Sequence, residues 1–230
     1  MKKNVYFLLI FCGLSQSLLA QDLNALITRL QNKLDRVNNY VATGKMKTDV
    51  VFIKAPLSNI KVYFKKPDRF KIQKNGGISI LPKGGVSINM RSVLSMDHYI
   101  TIDAGKELVD GKMTRKVKLL PLEDSSDIVL TTLFIDEPDL LILKAITTTK
   151  DNGTYQMDLT YGRYANYGLP DKVVFSFVTS EYKLPRGVTL EFDSDKKPSG
   201  KELLRERKGK IELSYNSYII NGSIPDNVFR

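Results

Sequence analysis

Few residues of this chain are of a type and spacing that could do chemistry. His98 is the only histidine among 230 residues, in Met96-Asp97-His98-Tyr99, where Asp97 and one of the chain's serines could complete a Ser-His-Asp relay. No nucleophile elbow presents a serine for attack, so His98 reads as an ordinary surface or packed residue, and a hydrolase built on it is the third-ranked reading. Acidic side chains cluster at Glu123-Asp124, Asp136-Glu137-Pro138-Asp139 and Asp193 to Asp195. A calcium loop needs alternating oxygen ligands around a central glycine and a closing glutamate. Asp136 to Asp139 lacks these and reads as a turn whose proline ends a strand. Gly76-Gly77 and Gly84-Gly85 precede no helix start, which favours hairpin turns over phosphate cradles. Asn152-Gly153-Thr154 and Asn221-Gly222-Ser223 match the glycosylation sequon, but Asn-Gly is first a turn signal. The inventory predicts no catalytic residue, no metal site and no cofactor, and so no enzyme.

The elements that would position any site begin after an export signal. Lys2 and Lys3 precede the apolar run Val5 to Phe11, and Leu18-Leu19-Ala20 offers a small-residue cleavage site. Residues 1–20 are therefore expected to be a signal peptide, and 21–230 a single exported domain with an ordinary core. Cys12, the only cysteine, lies inside the apolar run behind Ile10 and Phe11, not behind the small residues of a lipoprotein signal, and is expected to leave with it. A mature chain without cysteine excludes disulfides, thiol catalysis and Cys-based metal sites. No later stretch approaches the roughly 20 apolar residues a membrane span needs. The signal carries two of the 35 basic residues and none of the 25 acidic ones, leaving a mature net charge of +8. The basic residues are spread along strands, which argues against a nucleic-acid partner and for solubility with weak attraction to anionic membranes.

From Asp22 to Tyr40, Leu23, Leu26, Ile27, Leu30, Leu34, Val37 and Tyr40 recur with the period of one helical stripe, and Arg29, Asn32, Lys33 and Arg36 take the other face. Strand alternation follows. Met46, Thr48, Val50 and Phe52 share a face, an Ala55-Pro56 break intervenes, then Ile60, Val62 and Phe64 continue, and a Lys66-Pro67-Asp68-Arg69 turn leads to Phe70 and Ile72. Residues 86–113 are the least readable, with short helical structure expected from Ser92 to Asp97 and a strand at Tyr99 to Ile102. Strand patterns resume at Arg115–Leu122, Ile128–Ile135, Leu140–Thr149, Thr154–Tyr161, Lys172–Thr179 and Ile211–Ile220; Ser199 to Lys208 reads as a short helix or an extended loop. Leu159 to Asp171 and Leu213 to Asp226 echo each other, as similar neighbouring strands would. An antiparallel meander of roughly ten strands with one long helix curls, and its concave face is either packed solid or left as a cavity suited to an acyl chain.

The order of features resembles the LolA-type periplasmic lipoprotein carrier superfamily. The resemblance rests on the amphipathic helix directly after the signal, on Gly44 to Phe52, and on Lys66-Pro67-Asp68-Arg69-Phe70-Lys71-Ile72, similar to that family's basic-Pro-x-x-Phe turn into a strand. Gly209 to Tyr218 and Asn221 to Phe229 resemble the closing strand of outer-membrane lipoprotein-sorting homologues. The chain departs from the family in having no Trp and an extra charged segment from Asp193 to Lys210. The resemblance implies an α+β, mostly β fold: an unclosed antiparallel half-barrel covered by the N-terminal helix and short lid helices. It further implies a periplasmic, non-catalytic carrier or binder of lipid or lipidated protein, with transient membrane or membrane-protein contact. Relatives of the fold also include envelope sensors, and a sensor that transfers no cargo is the alternative. Expected lining residues are Met46, Val50, Phe52, Ile60, Val62, Phe64, Phe70, Ile72, Phe175 and Phe177, with Leu26, Leu30 and Leu34 on the lid; plain core packing accounts for the same residues equally well.

Overall fold

The computed structural model describes residues 23–50, 53–67, 69–74, 99–124, 126–151, 153–178 and 208–229. Helix α1 covers residues 23–35. Its stripe buries Leu23, Leu26, Ile27 and Leu30, each 3% exposed or less, with Leu34 packed half-buried at its end. The helix stops earlier than the stripe predicts. Arg36 N and Val37 N donate to the carbonyls of Lys33 and Leu34, tightening the last turn, and Tyr40 already belongs to a strand.

Ten strands follow: β1 (Asn39–Val50), β2 (Ile53–Lys65), β3 (Arg69–Lys74), β4 (Tyr99–Val109), β5 (Lys112–Pro121), β6 (Ile128–Asp136), β7 (Leu141–Thr149), β8 (Thr154–Thr160), β9 (Lys172–Val178) and β10 (Lys208–Ile220). They form one antiparallel sheet in the order β3-β2-β1-β10-β9-β8-β7-β6-β5-β4. The meander is broken once, where β10 inserts between β1 and β9. As a result β3 and β4, consecutive in the chain, lie at opposite edges and do not pair with each other among the described residues. The architecture is the expected mostly-β open sheet covered by a helix. The turns at 165–167 and 226–229 are short 3-10 helices; Ser92 to Asp97, and Ser199 to Lys208 up to residue 207, lie outside the described residues, and Lys208 opens β10.

One feature of the first hairpin differs from the sequence reading. Ala55-Pro56 is not a break between strands: β2 runs through it, and the β1–β2 register slips there, Ala55 facing Thr48 but Ser58 facing Met46. Pro56 has no N–H to donate, and β3 covers β2 only from Ile60 to Lys65, so the proline sits at a bulge on a stretch without a described outer partner. Gly44 lies at a second bulge, opposite β10, where a Cβ would collide with the carbonyl oxygen of Ser214. That close approach requires glycine. The two echoing segments are not on adjacent strands either, because β9 separates β8 from β10.

One face of the sheet carries the main core, drawn from nearly every strand: Met46, Val62, Leu119, Leu133, Met157 and Leu213 are examples, all under 5% exposed. Helix α1 packs on this inner face. A smaller cluster of Val109, Phe134, Leu141 and Leu143 forms separately, with the ammonium groups of Lys116 and Lys144 each 5.3 Å from the Phe134 ring centroid.

Candidate functional site: the inner face and its helical cover

The expected lining residues fall on one face where the structure describes them. Met46, Ile60, Val62, Phe64, Phe175 and Phe177 are buried, between 0% and 6% exposed. Phe70 and Ile72, on edge strand β3, pack half-buried against the same cluster. Leu26 and Leu30 of α1 are buried over it, and Leu34 is half-buried. Phe52 and the Val50 side chain lie outside the described residues, as does His98. Face sharing follows from the two-residue period of a strand, which places Ile60, Val62 and Phe64 on one side of β2 and Phe175 and Phe177 on one side of β9.

Sequence reasoning missed the aromatic residues that continue this face. Tyr40 lies 5.3 Å from Phe64 and 5.4 Å from Tyr218 between ring centroids, and Tyr218 contacts Tyr164 and Tyr215 at 4.9 and 5.1 Å. A second group joins Tyr155 to Phe175 at 5.1 Å and Phe175 to Phe177 at 5.3 Å. Alternation of Ile211, Leu213 and Tyr215 in β10, and of Tyr155, Met157 and Leu159 in β8, was the signal available for them. Burial pushes the Tyr40, Tyr161, Tyr215 and Tyr218 hydroxyls above the ordinary phenol value. They are neutral hydrogen-bonding groups, and two have fixed partners: Tyr218 Oη donates to the Pro170 carbonyl at 2.6 Å and Tyr161 Oη to that of Ile142 at 2.9 Å. A buried threonine rung, Thr131 Oγ1 to Thr147 Oγ1 at 3.1 Å, adds polarity between β6 and β7.

The helix is fastened to both edges of the sheet by polar groups. At the β4 edge, Gln31 Nε2 donates to Tyr99 Oη at 3.1 Å and Thr101 Oγ1 donates to Asn24 Oδ1 at 2.9 Å. Toward the other edge, Lys66 in the β2–β3 turn donates through Nζ to the Asp35 carbonyl at 2.7 Å, with the Asp35 carboxylate 3.5 Å away. Behind the helix, Asn221 takes both ends of the chain turn into β1. Its Oδ1 accepts from Asn38 N at 2.7 Å and Asn39 N at 3.3 Å, while Nδ2 donates to the Arg36 carbonyl at 2.8 Å. The sequon asparagine is thus a structural clamp, and its counterpart Asn152 lies outside the described residues.

The acidic turn behaves as the sequence predicts. Lys112 Nζ donates to Asp136 at 2.6 Å and Asp139 at 2.9 Å, closing the β6–β7 connection. Among the described residues no three His, Cys, Asp or Glu side chains converge as metal ligands, and no helix is long and apolar enough to cross a membrane.

No family model matches the chain, and no curated protein matches it. Solved structures do. A domain from Vibrio parahaemolyticus named for outer-membrane lipoprotein sorting superposes with a TM-score of 0.58 at 8% identity, over 91% of this chain and 97% of that one. A LolA superfamily protein from Nitrosomonas europaea gives 0.53 at 10% identity, over 88% and 96%. The fold is LolA-like. A DUF1329 family protein from Desulfovibrio piger ATCC 29098 shares it, with a TM-score of 0.57 at 12% identity, over 92% of this chain and 97% of that one. In this LolA-like sheet the apolar inner face and the helix tied across it form the candidate site.

Proposed function

We propose that the inner face binds lipid, or the acyl chains of a lipidated protein, and that the chain acts as a non-catalytic carrier in the periplasm. The observation that supports this best is the combination of an apolar face extending across ten strands with a cover held by a few polar bonds to strand β4 and to the β2–β3 turn. An acyl chain is an apolar cylinder that needs area and no specific partner, and this face, whose buried lining is 0% to 6% exposed beneath α1, would offer that area once the cover moves. The LolA-like neighbours support the same reading at the level of fold.

Energetics then constrain the device. Burying an acyl chain gains about 0.8 kcal/mol per methylene, so one long chain contributes on the order of 10 kcal/mol before ordering costs. A carrier must release that cargo, so the fit has to be loose or the cover movable. Hydrogen bonds such as Gln31–Tyr99 and Thr101–Asn24 are worth only about 1 kcal/mol each, less where water competes. The polar bonds are thus the smaller part of what holds α1; its buried leucine stripe is the larger, and exchange requires the cargo to replace those apolar contacts. Organic extraction of the purified protein followed by mass spectrometry tests binding, and transfer to acceptor vesicles tests carriage. Lipid recovered and delivered supports the carrier; lipid recovered but never delivered indicates a sensor; no lipid in the extract refutes both.

A further inference from the structure

The outer side of α1 has a chemistry of its own. Arg29, Asn32, Lys33 and Arg36 follow the i, i+3, i+4, i+7 spacing of one helical stripe, opposite the buried leucines. Together with Asp139, Leu140 and Asn166 they line an open depression of about 500 Å³. The single acidic group does not cancel the three cations, because the Asp139 carboxylate is taken by Lys112 at 2.9 Å. Lys33 Nζ spends one proton on the Asp139 carbonyl at 2.6 Å and keeps two more to donate. Arg29 and Arg36 are exposed and enter no ion pair among the described residues. Burial, with Arg36 alongside, holds the Lys33 ammonium below its ordinary value despite Asp139; an anion in the depression would relieve that cost.

We propose that this depression binds the phosphate headgroup of an anionic phospholipid at a membrane surface, docking the outer face of α1 on the leaflet. Two guanidinium groups and an ammonium lining one open hollow match a phosphodiester in charge, and each can donate hydrogen bonds to its oxygens. A leaflet is favoured over a soluble phosphate because the hollow is open and its rim is amphipathic. Leu140 lines it, and Tyr167, next to Asn166, is 42% exposed, an aromatic of the kind that settles at headgroup depth. The inference rests on the preceding reading only in placing the protein beside an envelope membrane. The inner face need not be occupied.

The test is co-flotation of the purified protein with phosphatidylcholine vesicles, with and without phosphatidylglycerol. The wild type and a charge-matched control, Lys45→Gln/Lys47→Gln at two exposed positions of β1, are expected to float with the anionic vesicles only. Each cation near an anionic leaflet is worth about fivefold in partitioning, so Arg29→Gln/Arg36→Gln is expected to bind about 30-fold more weakly. Arg29→Lys/Arg36→Lys keeps the charge without the forks and should fall between the wild type and the glutamine variant. Equal weakening of the Lys45/Lys47 control would overturn the proposal by showing diffuse attraction. So would equal flotation on phosphatidylcholine alone. A protein that floats through Arg29 and Arg36 yet yields no lipid on extraction keeps this inference and loses the carrier reading.

Discussion

Replacing Asn221 with Ala should loosen the fastening of α1 to the sheet, and the size of the effect can be worked from the clamp. Three side-chain hydrogen bonds disappear, at 2.7, 2.8 and 3.3 Å. All three lie in an exposed setting, each worth at most about 1 kcal/mol net, and the longest contributes little, so the bonds amount to about 2 kcal/mol at the upper end. Asn221 also sits at φ 56°, where Ala is worse than Asn by roughly another 1 kcal/mol. The total of about 3 kcal/mol, at a urea m-value of about 2 to 3 kcal/mol/M for a chain of this size, lowers the unfolding midpoint by about 1 M. Asn221→Gly separates the parts: it accepts the left-handed backbone and loses only the bonds, so it should fall about 2 kcal/mol below wild type. Urea unfolding followed by circular dichroism measures both, and hydrogen exchange should show faster opening of the last turn of α1 in each variant. An Ala variant within 0.5 kcal/mol of wild type, or a Gly variant less stable than Ala, would refute the clamp.

Other expectations follow from the same contacts. Gly44→Ala drives a Cβ into the Ser214 carbonyl at the β1–β10 bulge and should cost about 2 kcal/mol or more, read as a fall in melting temperature; an unchanged melt would contradict the close approach. Leu30→Ala should cost about 3 kcal/mol, because Leu30 is 1% exposed in the core, and Leu34→Ala, half-buried, clearly less; equal losses would mean that α1 does not pack as described. Hydrogen bonds from Lys65 and Arg69 hold the Asp226 carboxyl below its usual value, and a bond from Lys112 does the same for Asp139. A carboxyl depressed by folding stabilises the protein fully above its unfolded value of about 4 and loses that contribution as pH falls through the lower folded value. Asp226→Asn should therefore flatten the loss of stability below about pH 4, and an acid limb identical to wild type would count against the ion pairs.

Periodicity carried most of the fold. The leucine stripe of α1 and the alternation around Ile60, Val62 and Phe64 are direct imprints of burial on one side, so both elements and their facing were legible. What was not legible depends on contacts distant in sequence. Nothing local in Lys208 to Ile220 says that this strand inserts between β1 and β9, since any strand with one apolar face would fit several places. Pro56 looked like a break because a missing N–H matters only if a neighbour needs it, and among the described residues β3 pairs with β2 only from Ile60 to Lys65. Asn221 read as a turn residue because its partners, Arg36, Asn38 and Asn39, lie more than 180 residues away. Arg29, Lys33 and Arg36 were visible as the polar side of a helix. Their convergence on one hollow needed the β6–β7 turn and the 165–167 segment, which only the fold supplies.

The most direct measurement of the central claim is native mass spectrometry of the protein purified without detergent. The account predicts a population heavier than the bare chain by the mass of an acyl lipid, shed on collisional activation and re-formed when delipidated protein meets that lipid. A bare-chain mass alone, with no uptake of any acyl probe, would contradict it and leave the inner face as a packed core.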